Sequence, residues 1–428
     1  MKRIIANMNW IIGCRLARAV LQLLVGILTA RYLGPSNYGL ISYAASLAAF
    51  ALPVMQLGLR NTLVQEYLSN REEEGQILGT ALGMNLLSAT ACVLGIVRFS
   101  AVANPESQET VIVCSIYSLS LLFQAFELVQ YWFQSRLESK YPSVVMLVGY
   151  ILVSGYKLYL LASGRSVYWF ALAYSLEAAV IALGLLLCYW KCGGRRISFS
   201  RESARLLFFK SKYYLLSGIL VAAFQYTDRV MLKWMTGNAQ TGFYSTAATI
   251  AGMTGFVFAA VIDSARPGIL EKKQVDPKGY ANAISGLYAV VIWASLAQSV
   301  ALTLLAKPAV YILYGAQYAP AVPVLRLVCW YTVFSYIGTV RNIWILAEGQ
   351  QKWLLILNTG GVLINIVLNA LLIPRWNARG AAAASVLTQL LINGIVSLCL
   401  PAMTAHRGLL LRGIHPKTLL QVLKQKGE

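Results

Sequence analysis

Residues Trp10 to Ala30 read WIIGCRLARAVLQLLVGILTA, a run that holds ten Ile, Leu or Val residues and no acidic one. About 20 such residues span the hydrocarbon core of a bilayer as one α-helix. Eleven similar runs follow, and the twelve occupy residues 10–30, 38–59, 77–97, 110–133, 143–163, 167–190, 213–235, 240–264, 280–305, 322–347, 353–373 and 381–401. The pattern predicts an all-α integral membrane protein with about twelve transmembrane helices.

The composition excludes a soluble or peripheral protein. Only 12% of the 428 residues are charged and 58% are hydrophobic, whereas a soluble domain carries roughly 25% charged residues. The net charge is +20, but the basic residues stand mostly in short loops between the apolar runs. We therefore interpret this charge as orientation in the membrane and contact with anionic lipid, and we expect no nucleic-acid partner.

The sequence lacks the usual signs of a metal centre or a catalytic site. The seven cysteines form no CxxC pair, and the chain has two histidines, so we expect neither a disulfide framework nor a zinc site. No nucleotide-binding loop, metal-binding carboxylate pair or Ser/His/Asp arrangement stands out. We expect a transporter and not an enzyme, with no cofactor other than H+ or Na+ as a coupling ion.

Basic residues in the loops predict the orientation of the chain. With the N-terminus in the cytoplasm, 23 Lys and Arg residues fall in cytoplasmic segments and 7 in outer loops. Such a bias in short loops orients a membrane protein. We therefore expect a multi-pass protein of the cell inner (cytoplasmic) membrane with both termini in the cytoplasm.

The chain contains two related halves. Residues 191–212 hold seven basic residues and separate six predicted spans from six, which gives an N-terminal lobe with its linker over residues 1–205 and a C-terminal lobe with a short basic tail over residues 206–428. The matched pairs are Gly34 with Gly237, Gly39 with Gly242, Trp132 with Trp344, Lys140 with Lys352, and Gly149 with Gly361. Both halves start from the cytoplasmic side, so they are predicted to be parallel repeats about an axis along the membrane normal.

Several stretches resemble a known family. They read ARYLGPSNYG at Ala30–Gly39, QLGLRN at Gln56–Asn61, YTDRVML at Tyr226–Leu232, GFYSTA at Gly242–Ala247, ILAEGQQK at Ile345–Lys352, NIVLN at Asn365–Asn369 and IPRWNARGAA at Ile373–Ala382. In this order they resemble the polysaccharide biosynthesis proteins, which are the Wzx-type flippases of the multidrug/oligosaccharidyl-lipid/polysaccharide (MOP) exporter superfamily. The family more often has Gly where this chain has Asn377.

The resemblance implies a two-lobed, V-shaped transporter that works by alternating access. Its cargo would be an undecaprenyl-pyrophosphate-linked oligosaccharide repeat unit for O-antigen, capsule or exopolysaccharide biosynthesis. Membrane lipids, and the polymerase and chain-length regulator of the same pathway, are the implied partners. A cation-coupled multidrug exporter and a peptidoglycan-precursor flippase of the same superfamily stay open as alternatives, although more intramembrane bases than acids favour an anionic cargo.

Charges inside the first span predict a polar passage. Its ten Ile, Leu and Val residues return about 3–6 kcal/mol on insertion, while Arg15 and Arg18 cost about 5–7 kcal/mol if they are central. Snorkelling to the interface is one solution for these arginines. Arg15, Arg18 and Gln22 also share one helical face, as a cavity wall requires.

We expect a water-filled cleft that accepts an anionic head group, because a diphosphate cannot cross hydrocarbon with its charge unmatched. The predicted cationic lining is Arg15, Arg18, Lys157, Arg229 and Arg341. The candidates for contacting sugars are Asn85, Gln124, Asn365 and Asn369. The candidates for ion coupling are Glu127, Glu177 and Asp228. A purely structural Lys157–Glu177 ion pair remains the alternative for those two residues.

Overall fold

The structure is a computed structural model, and it describes the backbone of residues 2–400 and 403–425. Side chains are described for residues 13–400 and 403–421 except Arg15 and Gln274. The described residues contain no strand, and most of them are helical, as the apolar runs predict. They divide into two compact units, Met1–Tyr226 and Thr227–Glu428.

The helices of the N-terminal unit are α1 (Lys2–Gln56), α2 (Leu63–Ser69), α3 (Glu74–Ala103), α4 (Gln108–Ser118), α5 (Ser120–Gln124), α6 (Val129–Ser135), α7 (Lys140–Ala162), α8 (Val167–Lys191) and α9 (Arg201–Thr236), whose last residues enter the second unit. The C-terminal unit continues with α10 (Asn238–Gly252), α11 (Gly255–Val275), α12 (Pro277–Leu304), α13 (Ala306–Tyr314), α14 (Ala321–Val328), α15 (Tyr331–Ala347), α16 (Lys352–Gln389), α17 (Ser397–Cys399), α18 (Thr404–Ile414) and α19 (Pro416–Gln425).

Nine stretches of the described helices are long and apolar enough to cross a membrane, and a bent pair, Asn238–Gly252 with Gly255–Lys273, makes a tenth. Two of the nine, Leu16–Gln56 and Lys352–Cys399, contain 41 and 48 residues, about twice the length that one crossing needs. Each is interrupted by a non-helical residue, Gly34 in the first and Asn377 in the second. The count is therefore consistent with the predicted twelve spans.

The predicted repeat is visible in the backbone of each unit. Gly34 has φ 72° and ψ 172°, and its repeat partner Gly237 has φ 92° and ψ −174°. This conformation favours glycine because it has no Cβ. A second matched pair, Lys140 and Lys352, provides the first residues of α7 and α16. The two halves thus place the same turn and the same helix start at corresponding positions.

Most of α9 belongs to the N-terminal unit, which extends to Tyr226, and the lobe boundary at residue 205 stays a prediction from the sequence. Lys210 Nζ lies 2.6 Å from Glu66 Oε1. Further along α9, Gly218 packs so closely against Pro53 that a Cβ on the glycine would approach the proline ring within 2.9 Å. These contacts fix the start of α9 to the N-terminal unit, whereas the sequence marks only the basic connection before it.

A linker strap, residues 192–200 between α8 and α9, runs along a row of glycines on α3. The Ser198 amide donates a hydrogen bond to the Gly75 carbonyl oxygen at 3.3 Å. A Cβ on Gly75 would overlap the carbonyl oxygen of Arg196, and a Cβ on Gly79 would overlap that of Ser198. The missing side chains therefore allow backbone to pack directly on backbone.

We expect Gly79→Ala to lift this strap, because a methyl group cannot fit against the Ser198 carbonyl. Overpacking of this kind costs about 1–3 kcal/mol. Limited trypsin digestion should then cut faster after the exposed Arg195 and Arg196. Gly95→Ala on the same helix is the control, since nothing lies within 4 Å of its new methyl group. Equal digestion rates for the two variants would contradict the packing argument.

Candidate functional site

The N-terminal unit encloses an inner cavity of about 210 Å³ between α1, α4, α5, α7 and α8. It is lined by Arg18, Gln22, Val25, Gly26, Thr29, Tyr117, Ser120, Gln124, Glu127, Tyr150, Lys157, Tyr174, Glu177, Ala178 and Ile181. Charged groups, amides and tyrosines thus surround a space inside membrane-spanning helices. Such a lining suits a hydrated, polar occupant and not a lipid chain.

An outer cavity of about 350 Å³ adjoins the inner one, because Arg18 and Glu127 line both. Its other lining residues are Cys14, Gln56, Arg60, Gln130, Tyr131, Gln134, Ser139, Pro142, Ser143, Met146 and Leu147. Most of these residues stand near the beginning of α1, the end of α6 or the beginning of α7. The outer cavity therefore lies toward the membrane face at which the first span begins, which is the predicted cytoplasmic face. Its name refers to its position nearer the membrane surface than the inner cavity.

The inner cavity reaches the middle of the membrane. Glu177 is ten residues after the first residue of α8, which corresponds to about 15 Å along the helix. This is half of the roughly 30 Å hydrocarbon thickness. The two cavities, joined at Arg18 and Glu127, thus form a polar path from one face to mid-membrane within the N-terminal unit.

Glu177 forms ion pairs with both cations that line the inner cavity. Its Oε1 lies 3.1 Å from an Arg18 guanidinium nitrogen, and its Oε2 lies 3.8 Å from Lys157 Nζ. The Lys157 ammonium also lies 3.9 Å from the centroid of the Tyr174 ring, where a cation–π interaction stabilises it further. The ion pair that the sequence left as an alternative is present in the structure, and Arg18 shares it.

Burial makes this three-residue cluster costly to break. The side chain of Lys157 is 6% exposed and that of Glu177 is 12% exposed, while Arg18 keeps 33% and opens to the cavity. Charges in such surroundings are retained when they are paired, and removing one partner strands the other. Arg18 is the member of the cluster that a cargo can reach with the least rearrangement.

Glu127 has no ion-pair partner among the described side chains. It belongs to a 3₁₀ turn, Ala125–Leu128, that separates α5 from α6 in the middle of the fourth span. Arg18 and Arg60 both act on it electrostatically. The carboxyl group of Glu127 therefore lies where the two cavities meet, and it interacts electrostatically with Arg18, which lines both cavities, and with Arg60, which lines the outer one.

The structure places the other predicted cavity residues of this unit in different surroundings. Gln124 lines the inner cavity. Asn85 is fully buried, lines neither cavity, and has no hydrogen-bond partner for its amide in the described part of the chain. The side chain of Arg15 lies outside the described residues.

Asp228 forms a separate polar cluster in the C-terminal unit. Its Oδ1 accepts a hydrogen bond from Asn369 Nδ2 at 2.6 Å, and its Oδ2 accepts bonds from Tyr244 and Ser385 at 2.6 and 2.5 Å. Asn369 Nδ2 also donates to Asn365 Oδ1 at 3.0 Å. Of the predicted sugar contacts, Asn369 therefore binds a buried carboxylate in this structure, and Asn365 binds the Asn369 amide.

Arg341 stabilises a distorted helix and lines neither described cavity. The segment Leu390–Val396 is π-helical. An Arg341 guanidinium nitrogen donates to the Ile392 carbonyl oxygen at 3.2 Å and to Ser397 Oγ at 3.0 Å. The residue is 2% exposed. These contacts give it a structural surrounding and not the water-facing position that was expected.

Arg229 also lies in the C-terminal unit, where Tyr244 and Tyr331 are its electrostatic neighbours. Of the predicted cationic lining, Arg18 and Lys157 are therefore the members that the structure brings together. The described residues contain no group of three or more His, Cys, Asp or Glu placed to hold a metal ion.

Sequence reasoning missed several residues of the two cavities. Tyr117 and Tyr174 lie with their ring centroids 4.8 Å apart, and both line the inner cavity. Arg60 directly follows the predicted span 38–59, so the sequence indicates only a loop charge at this position. A usable signal existed in the fourth span, where Gln124, Glu127 and Gln134 recur at helical spacing along one face.

Residues 4–269 match a family model described as polysaccharide biosynthesis protein. A curated relative, the probable low-salt glycan biosynthesis flippase Agl15 of Haloferax volcanii, is 24% identical over 378 residues, which cover 86% of this chain and 78% of the relative. These relationships confirm the expectation of a multi-pass membrane transporter and not an enzyme.

Two solved structures share the fold. The lipid II flippase MurJ, in an inward closed conformation, superposes with a TM-score of 0.73 at 16% identity and covers 96% of this chain and 90% of its own. An inward-facing multidrug resistance MATE family transporter of the MOP superfamily gives 0.66 at 14% identity, with 95% and 96% covered. The family model matches well over half of the chain, and the protein therefore belongs to the polysaccharide biosynthesis protein family.

Proposed function

We propose that this protein is a flippase for a lipid-linked oligosaccharide. The observation that carries the proposal is the polar path formed by the two cavities in the N-terminal unit of a polysaccharide biosynthesis protein. The description of the Haloferax relative as a glycan biosynthesis flippase supports the same function. The finer proposal is an undecaprenyl-pyrophosphate-linked repeat unit that crosses the inner membrane during O-antigen, capsule or exopolysaccharide synthesis.

The chemistry of such a cargo fits the cavity lining. Sugars and a diphosphate must exchange water for polar protein groups before they cross hydrocarbon. Gln22, Gln124 and Ser120 offer hydrogen bonds to sugar hydroxyls, and the rings of Tyr117 and Tyr174 offer apolar faces for stacking. The polyprenyl tail would stay in the lipid.

Both termini are proposed to face the cytoplasm. The polymerase and the chain-length regulator of the same pathway are the proposed protein partners.

The Glu177 cluster offers a way to couple protons to cargo binding. Arg18 and Lys157 share the single negative charge of Glu177 while that carboxylate is ionised. A proton on Glu177 would weaken both pairs and leave two cations for the diphosphate, so proton and anion would bind cooperatively. Glu127, between the two cavities, is the second candidate for this role.

Asp228 is the coupling candidate in the C-terminal unit. Its carboxylate accepts hydrogen bonds from three neutral side chains, and Asn369 Oδ1 beside it is buried with no hydrogen-bond partner among the described residues. A proton or a sodium ion bound there would reorganise these bonds, because hydroxyl and amide oxygens also serve as ligands of hard cations.

Reconstitution into vesicles tests the proposal. A labelled polyprenyl-diphosphate oligosaccharide on one leaflet should become inaccessible to an added glycosidase faster in protein-containing vesicles than in empty ones. Parallel vesicles with a cationic dye and with lipid II test the multidrug exporter and the peptidoglycan-precursor flippase. Equal rates with and without protein for the oligosaccharide, together with transport of one of the other two, would overturn the assignment.

A further inference from the structure

We propose that Arg60 binds a phosphate group in the outer cavity and is the first residue to capture the diphosphate of the cargo. The inference rests on the proposed function and assigns a part of the binding step to one residue. Arg60 lines the outer cavity together with Gln56, Gln130, Gln134, Ser139 and Ser143. These neutral neighbours can donate hydrogen bonds to the phosphate oxygens that the guanidinium leaves free.

The charge balance of the two cavities depends on Arg60. Their described lining contains three cations, Arg18, Arg60 and Lys157, and two carboxylates, Glu127 and Glu177. Arg18 and Lys157 already pair with Glu177. Arg60 has no ion pair in the described part of the chain, so without it the cations and carboxylates of the lining would cancel. An anionic head group that enters from the outer cavity therefore meets Arg60 as a cation outside the Glu177 cluster, whereas Arg18 would first have to share its carboxylate contact.

The backbone holds Arg60 in a fixed position. Leu57 has φ 51° and Gly58 has φ 71°, and the 3₁₀ turn Leu59–Asn61 follows them. A left-handed leucine is strained, and such strain persists only where the surroundings enforce it. Leu59, beside Arg60, is fully buried, and a Cβ on Gly58 would lie 2.5 Å from the Ser211 carbonyl oxygen. The buried anchors leave Arg60 as an exposed, charged side chain of this turn.

The simpler alternative is that Arg60 serves only as a loop charge that orients the chain. Arg71 offers a matched control, because it is also exposed and stands in the same connection between α1 and α3, but lines neither cavity. A role in orientation predicts similar effects at the two positions. A phosphate-binding role predicts an effect at Arg60 alone, and a partial rescue by lysine, which lacks the planar fork.

Binding of geranylgeranyl diphosphate to the purified full-length protein tests the proposal, with geranylgeraniol as the uncharged probe. We expect Arg60→Gln to weaken diphosphate binding at least tenfold, Arg60→Lys to weaken it severalfold and Arg71→Gln to leave it unchanged. Binding of the alcohol should be equal in all four proteins. Diphosphate affinity of Arg60→Gln within twofold of the unmodified protein would overturn the proposal.

A second variant keeps the test valid if Arg60→Gln folds poorly. Gln134→Glu adds a carboxylate to the outer cavity at an exposed position, and we expect it also to weaken diphosphate binding at least tenfold. Unchanged binding would refute a phosphate site there. The vesicle assay separates failure of the proposed function from failure of the Arg60 site. Diphosphate binding that depends on Arg60, without any flipping, would refute the flippase. Flipping with a diphosphate affinity that neither Arg60→Gln nor Gln134→Glu changes would refute only the site.

Discussion

Replacing Glu177 by Gln is expected to destabilise the N-terminal unit by about 3 kcal/mol, the lower end of the range for breaking a buried ion pair. The amide would leave Lys157 without its carboxylate at 6% exposure, and it would remove the Arg18 bond of 3.1 Å. The partial exposure of Arg18 reduces the cost, because water can solvate its guanidinium. A lower midpoint of thermal unfolding in detergent would show the loss. Glu106→Gln, an exposed loop position outside both cavities, is the control.

The double variant Lys157→Met/Glu177→Gln separates a structural pair from a cargo site. Replacing both partners of a buried pair by uncharged groups is often neutral for stability, so the unfolding midpoint should recover relative to Glu177→Gln. If Lys157 binds the diphosphate, the double variant should flip at least tenfold more slowly than Glu177→Gln, which lacks the same carboxylate, despite this recovery. Full recovery of flipping would contradict a binding role for Lys157. A charge-swapped pair is less informative, because it would place a lysine against Arg18.

The spans could be predicted from the sequence because the bilayer imposes their length. The breaks at Gly34 and Gly237 were also foreseeable, since the repeat and the glycine preference of positive φ point to the same positions. The 3₁₀ turn Ala125–Leu128 and the π segment Leu390–Val396 were not predicted. Their sequences are ordinary helix sequences, and the distortions depend on packing against other helices.

The candidate site was predicted only in part, because the sequence shows which residues share a helical face but not which helices pack together. Arg18 and Gln22 share a helical face, so the sequence alone placed them on one wall. Arg341 has the same sequence signature of a base inside a span, yet it binds backbone that the π segment exposes. Lys157 and Glu177 are twenty residues apart on different helices. The sequence offered their ion pair as one of two interpretations, and the packing of α7 on α8 shows that they meet. The part that Arg18 takes in this pair was not predicted, because it depends on a contact between distant helices.

If Asp228 binds a coupling ion, as proposed, Asp228→Asn is expected to abolish that coupling while the C-terminal unit stays folded. The carboxylate accepts bonds from Asn369, Tyr244 and Ser385. An asparagine keeps one acceptor oxygen, but its amide would face a second donor at the other position. The Tyr244 and Ser385 hydroxyls can rotate to accept in turn, so we expect the unfolding midpoint to fall only modestly. The negative charge that a proton or cation requires would nevertheless be gone.

Flipping driven by an imposed proton or sodium gradient measures this effect. We expect Asp228→Asn to lower the driven rate at least tenfold and to make it independent of the gradient. Ser385→Ala is the matched control, because it removes one hydrogen bond, worth about 1 kcal/mol, and leaves the carboxylate in place. Its gradient dependence should therefore resemble that of the unmodified protein. If Asp228→Asn flips at the normal rate with the normal gradient dependence, coupling belongs to Glu127 or Glu177, and the Asp228 cluster is a structural one.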